Sequence, residues 1–443
     1  MFYAIFRTFL TFCLRIMYRS IEAPGLGSLP DRGGVLLVAN HGNALMDSLL
    51  LLVLIPRPIT FLAKHSLFPM PLIGFCLKRI GGLPVYRRQE APGESQKNEQ
   101  TLDACGTILA DGGVVCLFPE GRSHDEPKLQ ALRTGAARIY LRAAGPGAAR
   151  PIIVPAGIHV EAKQTFRSRV LVVFGKPVPT DDLLEEGREP GRVVTELTRR
   201  MEASLQELMP GLDTWEELQF LRDVRALFLG RRDVSLSVEA VSLKRFIQAY
   251  HFYRKTEPEA VLEIRRKWKA YRRQLRRFSL AEEQVDLAQA PVRAARFVML
   301  AAAVIVGVMP LALVGMITHY PPYRICGALE RRFNRFPDLA ATFKLVAGVV
   351  LFPTVYAILA ALLVWRLGWK EAVLGVGLLP LCGWAALRVA EERRRLREAL
   401  GALSLAFTTR GRALQAIRRQ REEILEGVAA LLRERPPEVS ALR

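Results

Sequence analysis

The chain reads as an α/β domain, a twisted sheet flanked by helices, followed by a charged helical region and C-terminal transmembrane helices. Three observations predict this. Between residues 30 and 180 short β-branched runs alternate with helical patterns, which is how strands and helices layered on one sheet are written. From about Arg192 to Gln289 strand signals thin out and charge dominates. Beyond that, Phe297 to Thr318 is 22 residues without a charge and Leu345 to Val364 gives 20 more, each long enough to cross a bilayer.

Each element follows from its residues in turn. Met1 to Arg19 is rich in Phe, Leu, Ile and Tyr, with Arg7, Thr11, Arg15 and Arg19 repeating every four residues as one stripe of a helix. Arg7 interrupts the apolar run and no small-residue cleavage site follows, against a signal peptide. The expectation is a helix at the membrane interface with its basic stripe at the headgroups; the alternative is a helix packed on its own domain. Strands are expected at Val35–Ala39, Ile59–Ala63, Leu83–Tyr86, Val114–Phe118, Ile152–Ala156 and Val170–Phe174. Helices are expected at Asp47–Leu54, Gln96–Asp111 and Thr134–Ala144, with Gly112-Gly113 closing the second. Ala372 to Leu387 is apolar but shorter, a third span or a re-entrant partner. Pro310, Pro353 and Pro380 fall within these apolar segments, as membrane helices tolerate. The resulting division is an interface helix at 1–20, a catalytic domain at 21–185, a charged helical region at 186–290, a transmembrane region at 291–390 and a basic helical tail at 391–443.

The formal net charge is +20, from 63 Lys and Arg against 43 Asp and Glu. Such a surface attracts anionic phosphates, whether in nucleic acid, lipid headgroups or a phosphorylated thioester donor. The six cysteines show no C-x-x-C spacing, so neither a disulfide framework nor a zinc knuckle is indicated. There is no H-E-x-x-H, P-loop, G-x-S-x-G or G-x-G-x-x-G, which removes zinc peptidase, NTPase, serine hydrolase and dinucleotide readings.

Chemistry concentrates in Asn40-His41-Gly42-Asn43-Ala44-Leu45-Met46-Asp47, directly after the apolar run Val35–Ala39. An imidazole at a strand end can accept a proton, and a carboxylate can hold its tautomer and stabilise the cation formed. Residues i and i+6 of one helix point about 120° apart. His41 and Asp47 therefore meet only if His41 sits in the turn before the helix, and Asn40 and Asn43 suit such a turn. Three more blocks stand beside predicted strands: Gly81 to Arg88, Phe118-Pro119-Glu120-Gly121-Arg122-Ser123, and Pro151 to Ile158.

These four ordered blocks resemble the glycerophospholipid acyltransferases, whose motifs are N-H-x4-D, G-x-x-x-I-x-R, F-P-E-G-[TR]-[RS] and an apolar block ending in V-P-[VA]. Five residues between His41 and Asp47 resemble the fungal-type glycerol-3-phosphate or dihydroxyacetone-phosphate acyltransferase branch and its bacterial relatives. Phe246 to Tyr250, Lys269 to Leu275 and Asp338 to Leu345 extend that likeness. Gly42 stands where the branch usually has Pro, which loosens the turn. The resemblance implies a glycerolipid-acyltransferase-like sheet with His41 as general base and Asp47 as its orienting partner. It implies that Arg87 grips the acceptor phosphate, a task that suits a bidentate guanidinium. Glu120 and Gly121 would bind the acceptor polyol, Arg122 and Ser123 would add phosphate contacts, and Pro155 would shape the acyl channel. His65, His124 and His159 read as solvated or structural.

The expected function is membrane-bound transfer of a fatty acyl group from an acyl thioester, either acyl-CoA or acyl-acyl carrier protein, to a phosphorylated glycerol-type acceptor in phospholipid biosynthesis. No cofactor and no metal are expected, and no acyl-enzyme is needed, in keeping with the missing nucleophile elbow. Glycerol 3-phosphate and dihydroxyacetone phosphate are favoured acceptors, with lysophosphatidate as the alternative. The partners are then the lipid bilayer, the thioester and the acceptor, with no nucleic acid, and the catalytic domain facing the cytoplasm. A non-catalytic basic protein tethered to membrane and binding lipid or nucleic acid accounts for charge and spans but leaves the four blocks unexplained.

Overall fold

The computed structural model describes residues 2–86, 96–145, 150–184, 189–230, 235–277, 282, 285, 291–334, 339–407 and 411–433. Described residues fall into two compact units. One lies within Met1–Leu218, Val234–Ala240 and Asn334–Leu345; the other lies within Gln219–Asp233, Val241–Phe333 and Val346–Arg443.

The first unit is α/β. Its elements are α1 (Phe2–Met17), β1 (Tyr18–Glu22), β2 (Val35–Ala39), α2 (Ala44–Leu54), β3 (Ile59–Lys64), α3 (Pro71–Arg79), β4 (Leu83–Val85), α4 (Lys97–Ala110), β5 (Val114–Leu117), α5 (Gly135–Ala143), β6 (Ile152–Val160), β7 (Ser168–Phe174) and α6 (Pro190–Leu208). Among the described residues, seven strands pair in the order β1-β7-β6-β2-β5-β3-β4. Only β6 and β7 run antiparallel; the other neighbours are parallel. The run Val35-Leu36-Leu37-Val38-Ala39 is buried throughout, as a central strand covered on both faces requires. Its alternate residues feed two cores. Val35, Leu37 and Ala39 pack with Leu50 and Leu51 of α2 and with Leu10 and Leu14 of α1. Leu36 and Val38 pack with Leu109 of α4, Ile139 and Tyr140 of α5, and Leu197 and Met201 of α6.

The expected strands and helices are all present, with shifted ends. β6 continues past Ala156 to Val160 because β7 pairs with it there, Ala156 opposite Phe174 and Val160 opposite Val170. Two elements are additions. β1 carries polar Arg19, Ser20 and Glu22 and pairs only at the sheet edge, so no apolar alternation announces it. α3 holds Gly74 mid-helix, where a Cβ would meet the Phe68 carbonyl oxygen at 2.0 Å. α6 buries Val193, Leu197, Met201 and Leu205 in the sheet's own core, and the compact unit that holds the sheet includes residues up to Leu218.

α1 packs one face on its own domain. Leu10, Leu14 and Met17 are buried in the domain, and the Arg7 guanidinium donates to the Val53 carbonyl at 2.9 Å and is thereby turned inward. Ile5, Phe9, Phe12 and Ile16 form a separate exposed row on the same helix.

The second unit is helical. It is built from α7 (Trp215–Leu229), α8 (Leu236–Thr256), α9 (Pro258–Arg277), α10 (Pro291–Phe333), α11 (Ala340–Leu367), α12 (Trp369–Phe407) and α13 (Gly411–Arg433), of which α7, α8 and α11 have their first residues in the first unit. Among the described residues, three stretches are long and apolar enough to cross a membrane: Val298–Phe333, Ala340–Leu367 and Trp369–Arg393. The third apolar segment is thus part of a continuous helix, longer than its uncharged residues alone imply. α10 and α12 approach closely at Gly315, where a Cβ would stand 1.9 Å from the Cys382 carbonyl oxygen. α13, inside the expected basic tail, packs against its own unit: Gly427 faces Ile264, and the Tyr253 hydroxyl donates to the Leu431 carbonyl at 2.6 Å.

Candidate active site

β2, β5 and β4 run in one direction, so the chain leaves all three at the same edge of the sheet. Open α/β sheets bind ligands at this edge. Leaving β2, Asn40 prolongs the ladder with its side chain: Nδ2 donates to the Ile158 carbonyl at 3.1 Å and Oδ1 accepts from the Ile158 N–H at 2.6 Å. His41 follows in the turn, and α2 starts at Ala44 with Asp47 in its first turn. His41 Nδ1 lies 3.0 Å from Asp47 Oδ2. An ionised carboxylate can only accept, so the proton sits on Nδ1 and the Nε2 lone pair is left to act as a base.

The turn is braced on several sides. Asp47 Oδ2 also accepts the Asn43 N–H at 2.7 Å, and Asn43 Nδ2 donates to the Tyr18 hydroxyl at 3.4 Å. Tyr18 lies deep in the core, where burial, and then the charge of Asp47, push its phenol well above the usual range. It therefore stays neutral. The Lys163 ammonium stands 3.1 Å from where a Cβ on Gly42 would lie. Lys163 is paired with Asp125 at 2.9 Å and lies over the Trp215 ring, whose indole N–H donates to the Asp125 carbonyl at 2.8 Å. Gly42 thus does not leave the turn loose. The space of a proline ring is taken by a lysine instead.

The loop after β5 covers His41. Its ring stacks on Phe118 with centroids 4.0 Å apart, and its N–H donates to Glu120 Oε1 at 2.8 Å. The other Glu120 oxygen accepts from the Gln130 N–H at 2.8 Å and from His124 Nε2 at 2.5 Å. Both oxygens are therefore engaged within the protein, and the side chain is fully buried. Gly121 adopts φ +74°, and a Cβ there would meet Arg133 Nε at 2.7 Å. That close approach is to a guanidinium. Arg122 and Arg133 are both exposed, while Ser123 is half-buried.

Arg87 lies outside the described residues. Tyr86, immediately before it, is fixed by a reciprocal pair with Asn98: its N–H donates to Oδ1 at 2.9 Å and its carbonyl accepts from Nδ2 at 2.7 Å. Pro155 is buried within β6, opposite Val38. His65 stacks on Tyr86, and His159 meets the Leu208 carbonyl at 2.9 Å. His124 joins the site through Glu120, from a loop in which sequence spacing fixes no side-chain contact. Tyr18 and Lys163 reach the site from far along the chain, and no local pattern marks them.

Residues 20–159 match the family model described as Acyltransferase, and residues 221–440 match that of the Glycerol-3-phosphate acyltransferase 2 C-terminal domain. The Glycerol-3-phosphate O-acyltransferase 2 of Saccharomyces cerevisiae is 27% identical over 291 residues, covering 61% of this chain and 39% of that protein. Glycerol-3-phosphate O-acyltransferase 1 of the same yeast is 24% identical over 347 residues, covering 72% of this chain and 45% of that protein. The chain therefore spans less than half the length of either yeast relative. The crystal structure of the 1-acyl-sn-glycerophosphate (LPA) acyltransferase PlsC from Thermotoga maritima aligns at 18% identity and a TM-score of 0.32, over 45% of this chain and 79% of that one. The chain thus carries an acyltransferase domain over the sheet that holds His41, followed in sequence by a Glycerol-3-phosphate acyltransferase 2 C-terminal domain, the combination for which it is similar to the two yeast glycerol-3-phosphate O-acyltransferases.

Proposed function

We propose that the protein is a membrane-bound enzyme that transfers a fatty acyl group from an acyl thioester to a hydroxyl of a phosphorylated glycerol-type acceptor. The observation that carries this reading is the His41–Asp47 contact at the end of β2, in a chain that matches both family models. Glycerol 3-phosphate is the favoured acceptor because both yeast relatives are named for it. Dihydroxyacetone phosphate is the next.

In this reading His41 Nε2 takes the acceptor hydroxyl proton as the oxygen attacks the thioester carbonyl. Asp47 holds the ring and stabilises the imidazolium. The tetrahedral oxyanion collapses, the carbon–sulfur bond breaks, and the departing thiolate takes the proton from His41. The products are an ester and a free thiol, and the base is restored. No cofactor enters, because the thioester supplies the acyl group already activated. Acceptor phosphate is held by Arg87, a role that rests on family likeness, and by Arg122, which is exposed in the loop that carries Glu120. Three apolar helices keep the enzyme in the bilayer into which its acylated product partitions. The sheet unit faces the cytoplasm, where phosphorylated acceptors and their thioester donors are found.

The test is thiol release by membranes containing wild-type protein or His41→Ala, with palmitoyl-CoA and glycerol 3-phosphate, dihydroxyacetone phosphate or lysophosphatidate offered separately. Acceptor-dependent release that vanishes in the variant supports the reading and names the acceptor. Equal release from both proteins with every acceptor, repeated with an acyl carrier protein donor, overturns it.

A further inference from the structure

We propose that His124 is a positioning residue that fixes His41 through Glu120; this rests on the acyl-transfer reading of His41. Glu120 is buried with its side chain cut off from water, and its two oxygens serve three N–H groups: His41 main chain, Gln130 main chain and the His124 ring. A carboxylate can only accept, so His124 carries its proton on Nε2. Its other nitrogen, Nδ1, accepts the Glu126 N–H at 3.2 Å. Both ring nitrogens are thus committed, which removes His124 as a base or acid and leaves it one tautomer.

The same residue holds His41 a second time. The His124 N–H donates to the His41 carbonyl at 3.0 Å, while Glu120 takes the His41 N–H at 2.8 Å. One loop therefore grips both sides of His41's main chain, and Phe118 of that loop holds the ring. Without the His124 imidazole, Oε2 keeps only the Gln130 N–H and the carboxylate is free to rotate off the His41 N–H. A general base displaced by an ångström loses about 100-fold in rate without any change in what it binds.

The experiment compares His124→Ala, His124→Gln and His124→Asn in the full chain in lipid bilayers. A glutamine amide nitrogen lies as many bonds from Cβ as His Nε2 does, so it can donate to Glu120; an asparagine amide reaches only the Nδ1 position. The expected result is a fall in kcat of about 10- to 100-fold for Ala and Asn, with acceptor and thioester KM within about twofold, and substantial recovery in Gln. Wild-type kcat in the Ala variant, a raised acceptor KM with kcat intact, or equal loss in Gln and Asn each overturns the role. Nitrogen-15 NMR of histidine-labelled protein gives a readout independent of turnover. His41 should report Nδ1 protonation in wild type, a tautomer mixture in His124→Ala, and the wild-type signal again in His124→Gln. An unchanged His41 signal in the Ala variant refutes the positioning. A wild-type protein with no turnover but with that NMR pattern defeats the acyl-transfer reading and leaves the positioning standing.

Discussion

Replacing Asp47 by Asn separates the charge of the His41 partner from its geometry. Asp47 is 1% exposed, and one oxygen, Oδ2, serves both His41 Nδ1 at 3.0 Å and the Asn43 N–H at 2.7 Å. An asparagine oxygen can accept both bonds, so the turn survives while the negative charge is lost. A unit charge about 4 Å from the imidazolium is worth roughly 4 kcal/mol at an effective dielectric of about 20. A hydrogen bond to a charged partner measures about 1.5–3 kcal/mol net of its solvent competitor. With the proton only partly transferred at the transition state, about 2–4 kcal/mol should be felt, or roughly 30- to 1,000-fold in kcat. The acceptor KM should stay within about twofold, since Asp47 touches no substrate in this reading. The assay is acceptor-dependent thiol release at saturating thioester, with thermal denaturation as the check on folding. A folded Asp47→Asn enzyme within about threefold of wild-type kcat would refute the reasoning, leaving Asp47 as a cap for Asn43 alone.

Three further outcomes follow from other parts of the chain. Glu22 caps the start of α8, accepting from the Leu236 N–H at 2.7 Å, the Ser237 N–H at 2.9 Å and the Ser237 hydroxyl at 2.6 Å. Burial works to raise its pKa, but the Ser237 and Leu236 bonds and the Arg169 charge outweigh burial and hold it below the usual carboxylate range. A depressed folded value means stability that is present above about pH 4.3 and lost as pH falls through the folded value. The difference in denaturation midpoint between wild type and Glu22→Gln should therefore be full near neutrality and close in acid; a pH-independent difference contradicts the cap. Gly121→Ala forces a side chain into φ +74° against Arg133. It should cost about 1–2 kcal/mol, read as a Tm lower by about 2–8 °C; an unchanged Tm would mean the loop relaxes freely. In the membrane region, Gly315→Val should lower the thermal stability of the detergent-solubilised protein, because a Cβ meets the α12 backbone at 1.9 Å. Gly307→Val, with open space around its Cβ, should leave it unchanged, and equal effects from both would place the α10–α12 seam elsewhere.

The sheet was legible because its inner strands are written as unbroken apolar runs, Val35–Ala39 and Val114–Leu117, that only a doubly covered strand needs. β1 was not, since Arg19, Ser20 and Glu22 carry no alternation and the strand exists by pairing with β7, about 150 residues away. The turn geometry of His41 followed from the angular argument about i and i+6, and the 3.0 Å contact agrees with it. Lys163 against Gly42 was invisible because a glycine's empty side can be filled from anywhere in the chain. Glu120 shows a different limit. Its residue type admits both hydroxyl recognition and main-chain bracing, and only the partners of its two oxygens decide which atoms it meets.

Between His41 and Asp47 the chain enters α2 through Ala44 at φ +42°, left-handed backbone that an alanine adopts at a cost of about 1–2 kcal/mol. Local hydrogen bonds offset it: the Met46 N–H donates to the Asn43 carbonyl at 3.0 Å, and the Asn43 N–H to Asp47. His41's position is then set by bonds from α2 on one side and from the β5 loop on the other, rather than by the pitch of a helix. That arrangement also accounts for two buried carboxylates so close together. Each takes N–H donors from the His41–Asn43 turn, Asp47 from the His41 ring and Asn43, Glu120 from the His41 main chain. A carboxylate buried without such donors would be strongly destabilising. Part of the polar cost of burying these carboxylates is thus met by the same N–H groups that fix His41.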